Sequence, residues 1–236
     1  MSKDVLIMSA YEKLKIKVKE KAIKDNDQFW DNFLQLAKSW PNNKEILINE
    51  TGKRQMHNIA GIGQEEEKAR SNFQEFVLSN STNELHANFN ITIEEMRKMD
   101  IVDFVIALYK VNIEDIIYLA IHCSRMGKNE ILECLPYIDV IYRVLLDRYN
   151  PNSSNDQKTN WPLLRFLNLL YGEVFTTTIN EAKLDIIAEW LGISNKEPYV
   201  YKQIHVRKII DECLDAHCPE ERSRFVRAAT SWWILL

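Results

Sequence analysis

The stretch MDIVDFVIALYKVNIEDIIYLAIHCSRMGKNEILECLPYIDVIYRVLLDRY, residues 99–149, decides the fold class. It is the most apolar part of the chain and reads as three helices in a row. Phe104, Ile106, Ala107, Leu108 and Val111 supply the first; Ile113, Ile116, Ile117, Leu119, Ala120 and Ile121 the second. Ile131, Leu132, Leu135, Ile138, Ile141, Val144 and Leu145 supply the third. The apolar positions crowd more than one face of each cylinder, the pattern of helices buried within a larger domain. Pro136 lies inside the third, where its missing N–H calls for a kink or a break.

Composition agrees with an all-α chain. Glycine and proline number only six each in 236 residues, too few for the turns of an all-β fold or the phosphate loops of a dinucleotide fold. Hydrophobic residues make up 46% of the chain, so a sizeable core can form without covalent staples. Four cysteines at this length do not suggest a disulfide framework. The start is charged by Lys3 and Asp4, and Val5 to Met8 is too short for a signal-peptide core. No run approaches the ~18–20 apolar residues of a membrane span. Together these predict a cytoplasmic protein with reduced thiols and no membrane association.

Working outward, residues 4–24 allow two structures. Lys13 to Lys19 alternates like a half-buried strand, yet Ile7, Tyr11, Leu14, Val18 and Ala22 form a helical stripe, and the longer window favours the helix. A second helix is expected from about Asp27, as N-cap, to Trp40, with Pro41 as its stop. Residues 45–58 allow a short β-hairpin, and a helix is expected over 64–78. Thr92-x-x-Glu95 and Thr178-x-x-Glu181 are capping-box signatures. Asn112 and Asn129 are read as N-caps, Gly127 and Gly192 as helix stops. Residues 150–160, Asn-Pro-Asn-Ser-Ser-Asn-Asp-Gln-Lys-Thr-Asn, form the one low-hydrophobicity linker. Helices are then expected from Asn160 and Pro162 to Gly172, from Tyr199 to His217, and from Pro219 onward. The expected architecture is roughly ten helices in two lobes, 1–149 and 161–236, around the three-helix core. The same pattern allows the lobes to pack as one domain.

Several chemistries have no motif here. There is no P-loop, no Gly-x-Ser-x-Gly, no Glu-x-x-His pair and no His-Glu-x-x-His. Gly61-Ile-Gly63 lacks the third glycine and preceding strand of a dinucleotide fingerprint. No catalytic residues and no cofactor are assigned. Cys213 and His217, four apart on one helix face, are the weak candidates for a metal, with His122, Cys123, Cys134 and Cys218 as further soft ligands. Their spacing matches no zinc module, and packing is the preferred explanation of the cysteines. Asp211 and Asp215 stand one turn apart, as Mg²⁺-binding carboxylates would, but a solvated acidic face is favoured. Asp139, Arg143 and Asp147 are read as a surface ion-pair row.

Two features suggest a working surface. The chain ends Ser231-Trp-Trp-Ile-Leu-Leu236, and Phe225, Trp232, Trp233, Leu235 and Leu236 are the candidate partner-binding residues. Chain ends normally fray into water, so an apolar one should be tucked into its own core or a neighbour's groove. Basic clusters supply the other: Lys13, Lys17, Lys21 and Lys24 on the first helix, and Arg222, Arg224 and Arg227 on the last. The net charge of -4 confines any anion-binding surface to such clusters. The expected function is therefore non-catalytic association, with itself or another protein, through apolar terminal helices. The alternative is an oligomeric protein that coats single-stranded RNA, in the manner of nucleoproteins. A metal-dependent enzyme, with Asp211, Asp215 and His217 as candidates, comes third.

Overall fold

The computed structural model describes residues 2–20, 27–38, 91–149 and 161–236, and these are all-α, with no strand among them. Eleven helices follow one another: α1 (Lys3–Lys19), α2 (Asp27–Ala37), α3 (Ile93–Lys98), α4 (Ile101–Lys110), α5 (Ile113–Cys123), α6 (Lys128–Glu133), α7 (Leu135–Tyr149), α8 (Trp161–Leu170), α9 (Glu181–Trp190), α10 (Tyr199–His217) and α11 (Arg224–Trp233). Among them no helix is long and apolar enough to cross a membrane. The hairpin at 45–58, the helix at 64–78 and the linker at 150–160 lie outside the described residues.

Two compact units emerge. One holds the described residues up to Phe33 together with Tyr171–Leu236; the other holds those from Leu34 to Leu170. In the first, α1 and α10 pack on α11, and α9 packs on α10. In the second, α7 carries α4, α5 and α6, and α8 packs on α5. The apolar stretch 99–149 is four helices, because Cys134 ends α6 and α7 restarts at once. Pro136 falls in the first turn of α7, where a missing N–H costs no hydrogen bond. The break expected at that proline is therefore its position at a helix start.

Several helix ends differ from the sequence expectation, each for a local reason. The N-cap of α6 is Gly127, whose N–H donates to Glu130 (3.1 Å), so Asn129 lies inside the first turn. The cap of α9 is Asn180, which accepts from the Lys183 N–H (3.0 Å). Thr178 is instead buried and bonded to Ser231 (2.9 Å). The last helix starts after Ser223, not at Pro219, because Ser223 accepts from Val226 (3.1 Å). Thr92 and Glu95 do form the reciprocal capping box. Gly192 takes φ +75° beyond α9, and the Ile193 N–H closes on the Ala188 carbonyl (2.8 Å). That is a Schellman closure, which favours a residue without Cβ. At Gly172 a Cβ would run into the Trp30 indole, so the close approach itself demands glycine.

Helix α1 settles the ambiguity over the described part of residues 4–24, up to Lys19. Ile7, Ala10, Tyr11 and Leu14 are buried on one side of it. The Lys13–Lys19 alternation is thus the lysine-rich outer surface of a helix. Lys21 and Lys24 lie beyond the described residues.

Candidate functional site

The terminal helix α11 is the buried centre of its unit. Every residue from Phe225 to Trp232 is buried, Phe225 to 1% exposure and Trp232 to 9%. Trp233 and Leu235 are half-buried, and Leu236 is 64% exposed. Lys183 covers the Trp232 ring, its Nζ 4.1 Å from the centroid. The apolar stripe that suggested a partner groove is therefore largely packed within its own unit.

Burial on every side requires that the polar residues of α11 find partners. Besides the Ser223 cap on Val226, its first two N–H groups are met by Asp27, a residue distant in sequence. Asp27 Oδ1 accepts from Phe225 (2.7 Å) and Oδ2 from Arg224 (3.2 Å). Asp27, expected as the cap of α2, stands in the first turn of α2 and reaches the start of α11, a helix separated from it by almost the whole chain. An anionic group at that end also suits the helix dipole. Ser231 Oγ donates to the Ala228 carbonyl (2.9 Å), and Thr230 Oγ1 donates to the Val226 carbonyl (2.8 Å).

Arg227 is the hub. Its guanidinium donates to Asp211 (3.3 Å), Asp215 (2.6 Å) and twice to the Glu221 carbonyl (3.0 and 2.8 Å). Burial opposes its charge, but Asp215 and Asp211 outweigh that and hold it protonated more firmly than a free arginine. Asp211 also accepts from Arg207 (2.9 Å), which in turn donates to the Gly172 and Phe175 carbonyls (2.8 Å each). The Asp211/Asp215 pair is thus neither a cation site nor a wholly solvated face. Asp211 is buried, and both carboxylates face guanidinium groups. Glu221 completes the cluster, accepting from Lys15 (2.7 Å), Tyr11 (3.2 Å) and the Ser223 N–H (2.9 Å). Burial pushes the Glu221 carboxyl up, yet these donors outweigh it and leave it below the usual carboxylate value.

The basic candidates separate under this geometry. Arg227 is buried, and Arg224 pairs with Glu173 (3.0 Å) and with Asp31. Arg222 is exposed, as are Lys13 and Lys17, though Lys17 holds Glu20 (2.8 Å). Lys15, which no sequence argument singled out, reaches Glu221 and so lies on the flank of α1 that faces it. Two residues at about 100° each put Lys13 and Lys17 on the other flank.

Two of the thiols, Cys123 and Cys213, are poor nucleophiles. Cys123, Cys134, Cys213 and Cys218 are free and buried. Burial pushes Cys123 up to about 12 and Cys213 to about 11, so neither is a thiolate near neutral pH. Among the described residues no three His, Cys, Asp or Glu side chains are grouped to hold a metal ion. Asp139 is buried rather than at the surface, and burial raises its carboxyl, partly offset by Arg143 (2.9 Å). A second polar cluster is closed on itself. Gln203 accepts from Thr176 Oγ1 (2.6 Å) and donates to the Thr178 carbonyl (2.6 Å) and Tyr199 (2.8 Å).

An apolar surface stripe among the described residues was not among the sequence candidates. On α4, Val102, Ile106 and Tyr109 are 65%, 46% and 50% exposed. Spaced by four and three, they share one outward face. The opposite face of α4 is fixed. Phe104 meets the Tyr137 ring edge-on at 5.3 Å, and Arg148 donates to the Val111 carbonyl (2.6 Å). Tyr109 keeps half its ring in water while its hydroxyl donates to Asp147 (2.7 Å). Asp147 thus serves Tyr109 rather than an ion-pair row. The signal in the sequence was the same apolar density that marked 99–149 as core. Nothing in the composition distinguished the inner from the outer stripe.

No family model, no curated protein and no solved structure matches the chain.

Proposed function

We propose that the chain is a non-catalytic intracellular protein that works by association, with itself or with another protein. One observation carries this reading: three large apolar side chains, Val102, Ile106 and Tyr109, stand 46–65% exposed on one face of a firmly anchored helix. Scattered exposed hydrophobics are normal, but a contiguous rigid stripe is the usual mark of a binding face. The terminal residues contribute less than the sequence suggests, since Leu236 alone of that set is exposed. The paired carboxylates around Arg227 and the raised pKa of the Cys123 and Cys213 thiols weigh against chemistry at those places. Size-exclusion chromatography with light scattering tests the reading. A mass above 27.8 kDa, alone or with co-purifying protein, is the expected result. A strict monomer that captures nothing would overturn it.

The alternative, a protein that coats single-stranded RNA, draws support from the exposed Lys13 and Lys17 on α1. It is weakened by Arg224 and Arg227, which face carboxylates of their own unit. Salt-dependent binding of an oligonucleotide that falls on Lys13→Glu/Lys17→Glu substitution would favour it. An absorbance ratio free of nucleic acid, with no such binding, would remove it.

A further inference from the structure

We infer that the outward face of α4 docks on the same face of a second copy of this chain, the two helices antiparallel about a twofold axis near Ile106. The inference rests on the association reading and names its partner and its surface. Its basis is the charge at the edge of the stripe. At about 100° per residue, Val102, Ile106 and Tyr109 span some 60° of the helix, and Asp103 and Lys110 both lie beside them on one edge. Both are exposed. Among the described residues neither makes an ion pair, whereas Lys98 holds Glu94 and Arg143 holds Asp139.

The placement of this pair is self-complementary. Asp103 and Lys110 sit seven residues apart, about 10 Å along the axis, on either side of Ile106 and Ala107. A twofold axis perpendicular to the helix keeps each residue on its own edge and reverses its height. Asp103 of one copy then meets Lys110 of the other, and the reverse pair forms at the opposite end. A parallel arrangement would set like charges level with one another and is disfavoured. The same operator lays Ile106 against Ile106 and places each Tyr109 over the first turns of the facing helix. The Asp147 bond fixes Tyr109 beforehand, so little rotamer freedom is lost on docking. Rim charges of this kind set register and orientation more than affinity. One helix face is small for an interface, so the dimer is weak and concentration-dependent.

Sedimentation equilibrium of the full chain, run up to several hundred micromolar, tests the inference. The expected result is a monomer–dimer equilibrium that Ile106→Asp abolishes. Asp103→Lys alone, or Lys110→Asp alone, should weaken dimerisation about tenfold by setting like charges opposite each other at both ends. The double reversal Asp103→Lys/Lys110→Asp should restore the wild-type constant, because the antiparallel pairs re-form with signs exchanged. Circular dichroism confirms that each surface variant is folded. An assembly that survives Ile106→Asp would overturn the α4 face and leave the association reading standing. A double reversal no better than the single ones would overturn the antiparallel register. A strict monomer at every concentration would overturn the inference, and with no captured protein the reading beneath it.

Discussion

Helices α4 and α11 have the same length, ten residues, and opposite fates. Helix α4 is the more apolar, yet its Val102, Ile106 and Tyr109 face water. Helix α11 carries Arg227, Thr230 and Ser231, yet all three are buried. The difference lies in what surrounds them. Helix α11 is packed by α1 and α10 and finds Asp27, Asp211, Asp215, Thr178 and the Glu221 carbonyl waiting for its polar groups. Helix α4 lies on α7, with a face that no described helix covers. Burial follows from the number of neighbours and the partners they supply, and only secondarily from the helix's own hydrophobicity.

The contrast can be broken most strongly at Arg227. Arg227→Met leaves Asp211 and Asp215 without a shared cation and should cost about 3–5 kcal/mol, read by denaturant unfolding. Phe225→Ala opens a cavity at the centre of the same unit and should cost about 3–4 kcal/mol. Glu221→Gln sharpens the picture through pH. The folded carboxyl titrates below its ordinary value of 4.5, so its contribution is complete above that pH. That contribution disappears as pH falls through the lower folded value. The stability difference between wild type and Glu221→Gln, about 1–2 kcal/mol near neutrality, should therefore vanish in acid. A constant difference across that range would show that Glu221 acts by packing alone. Asp27→Ala leaves the Ser223 cap but removes the acceptor of the Arg224 and Phe225 N–H groups of α11 and should cost about 1 kcal/mol, even though residue 27 begins a different helix. Ile106→Ser on α4 should cost only about 1 kcal/mol while altering assembly, since nearly half of the residue is exposed. A large loss of stability at Ile106 would mean that the stripe is covered after all, and would erase the comparison.

Much of the fold was legible in advance. The 3.6-residue spacing of Ile7, Tyr11 and Leu14 marked α1, and the apolar density of 99–149 marked the helices that α7 gathers. Thr92-x-x-Glu95 gave its cap because both halves of that device are local. Where the partner was distant, the reading went astray. Thr178 offered the same local signature, but Ser231 lies close enough to take its hydroxyl, and Asn180 does the capping. Asp27 looked like a cap for its own helix and serves one nearly two hundred residues away. The acidic spacing of Asp211 and Asp215 was read as a solvated face because Arg207 and Arg227 are brought to it only by folding.

By itself, then, the sequence determined the secondary structure, since helix periodicity, local caps and the scarcity of glycine and proline are properties of neighbours along the chain. Tertiary structure alone decided which stripe is inside. It joined α1 to α11 across the length of the chain, surrounded the polar residues of α11 with countercharges, and left the apolar face of α4 in water. The physical reason is that hydrophobicity states what a side chain gains on burial, whereas the packing of other elements determines whether a partner is there to bury it.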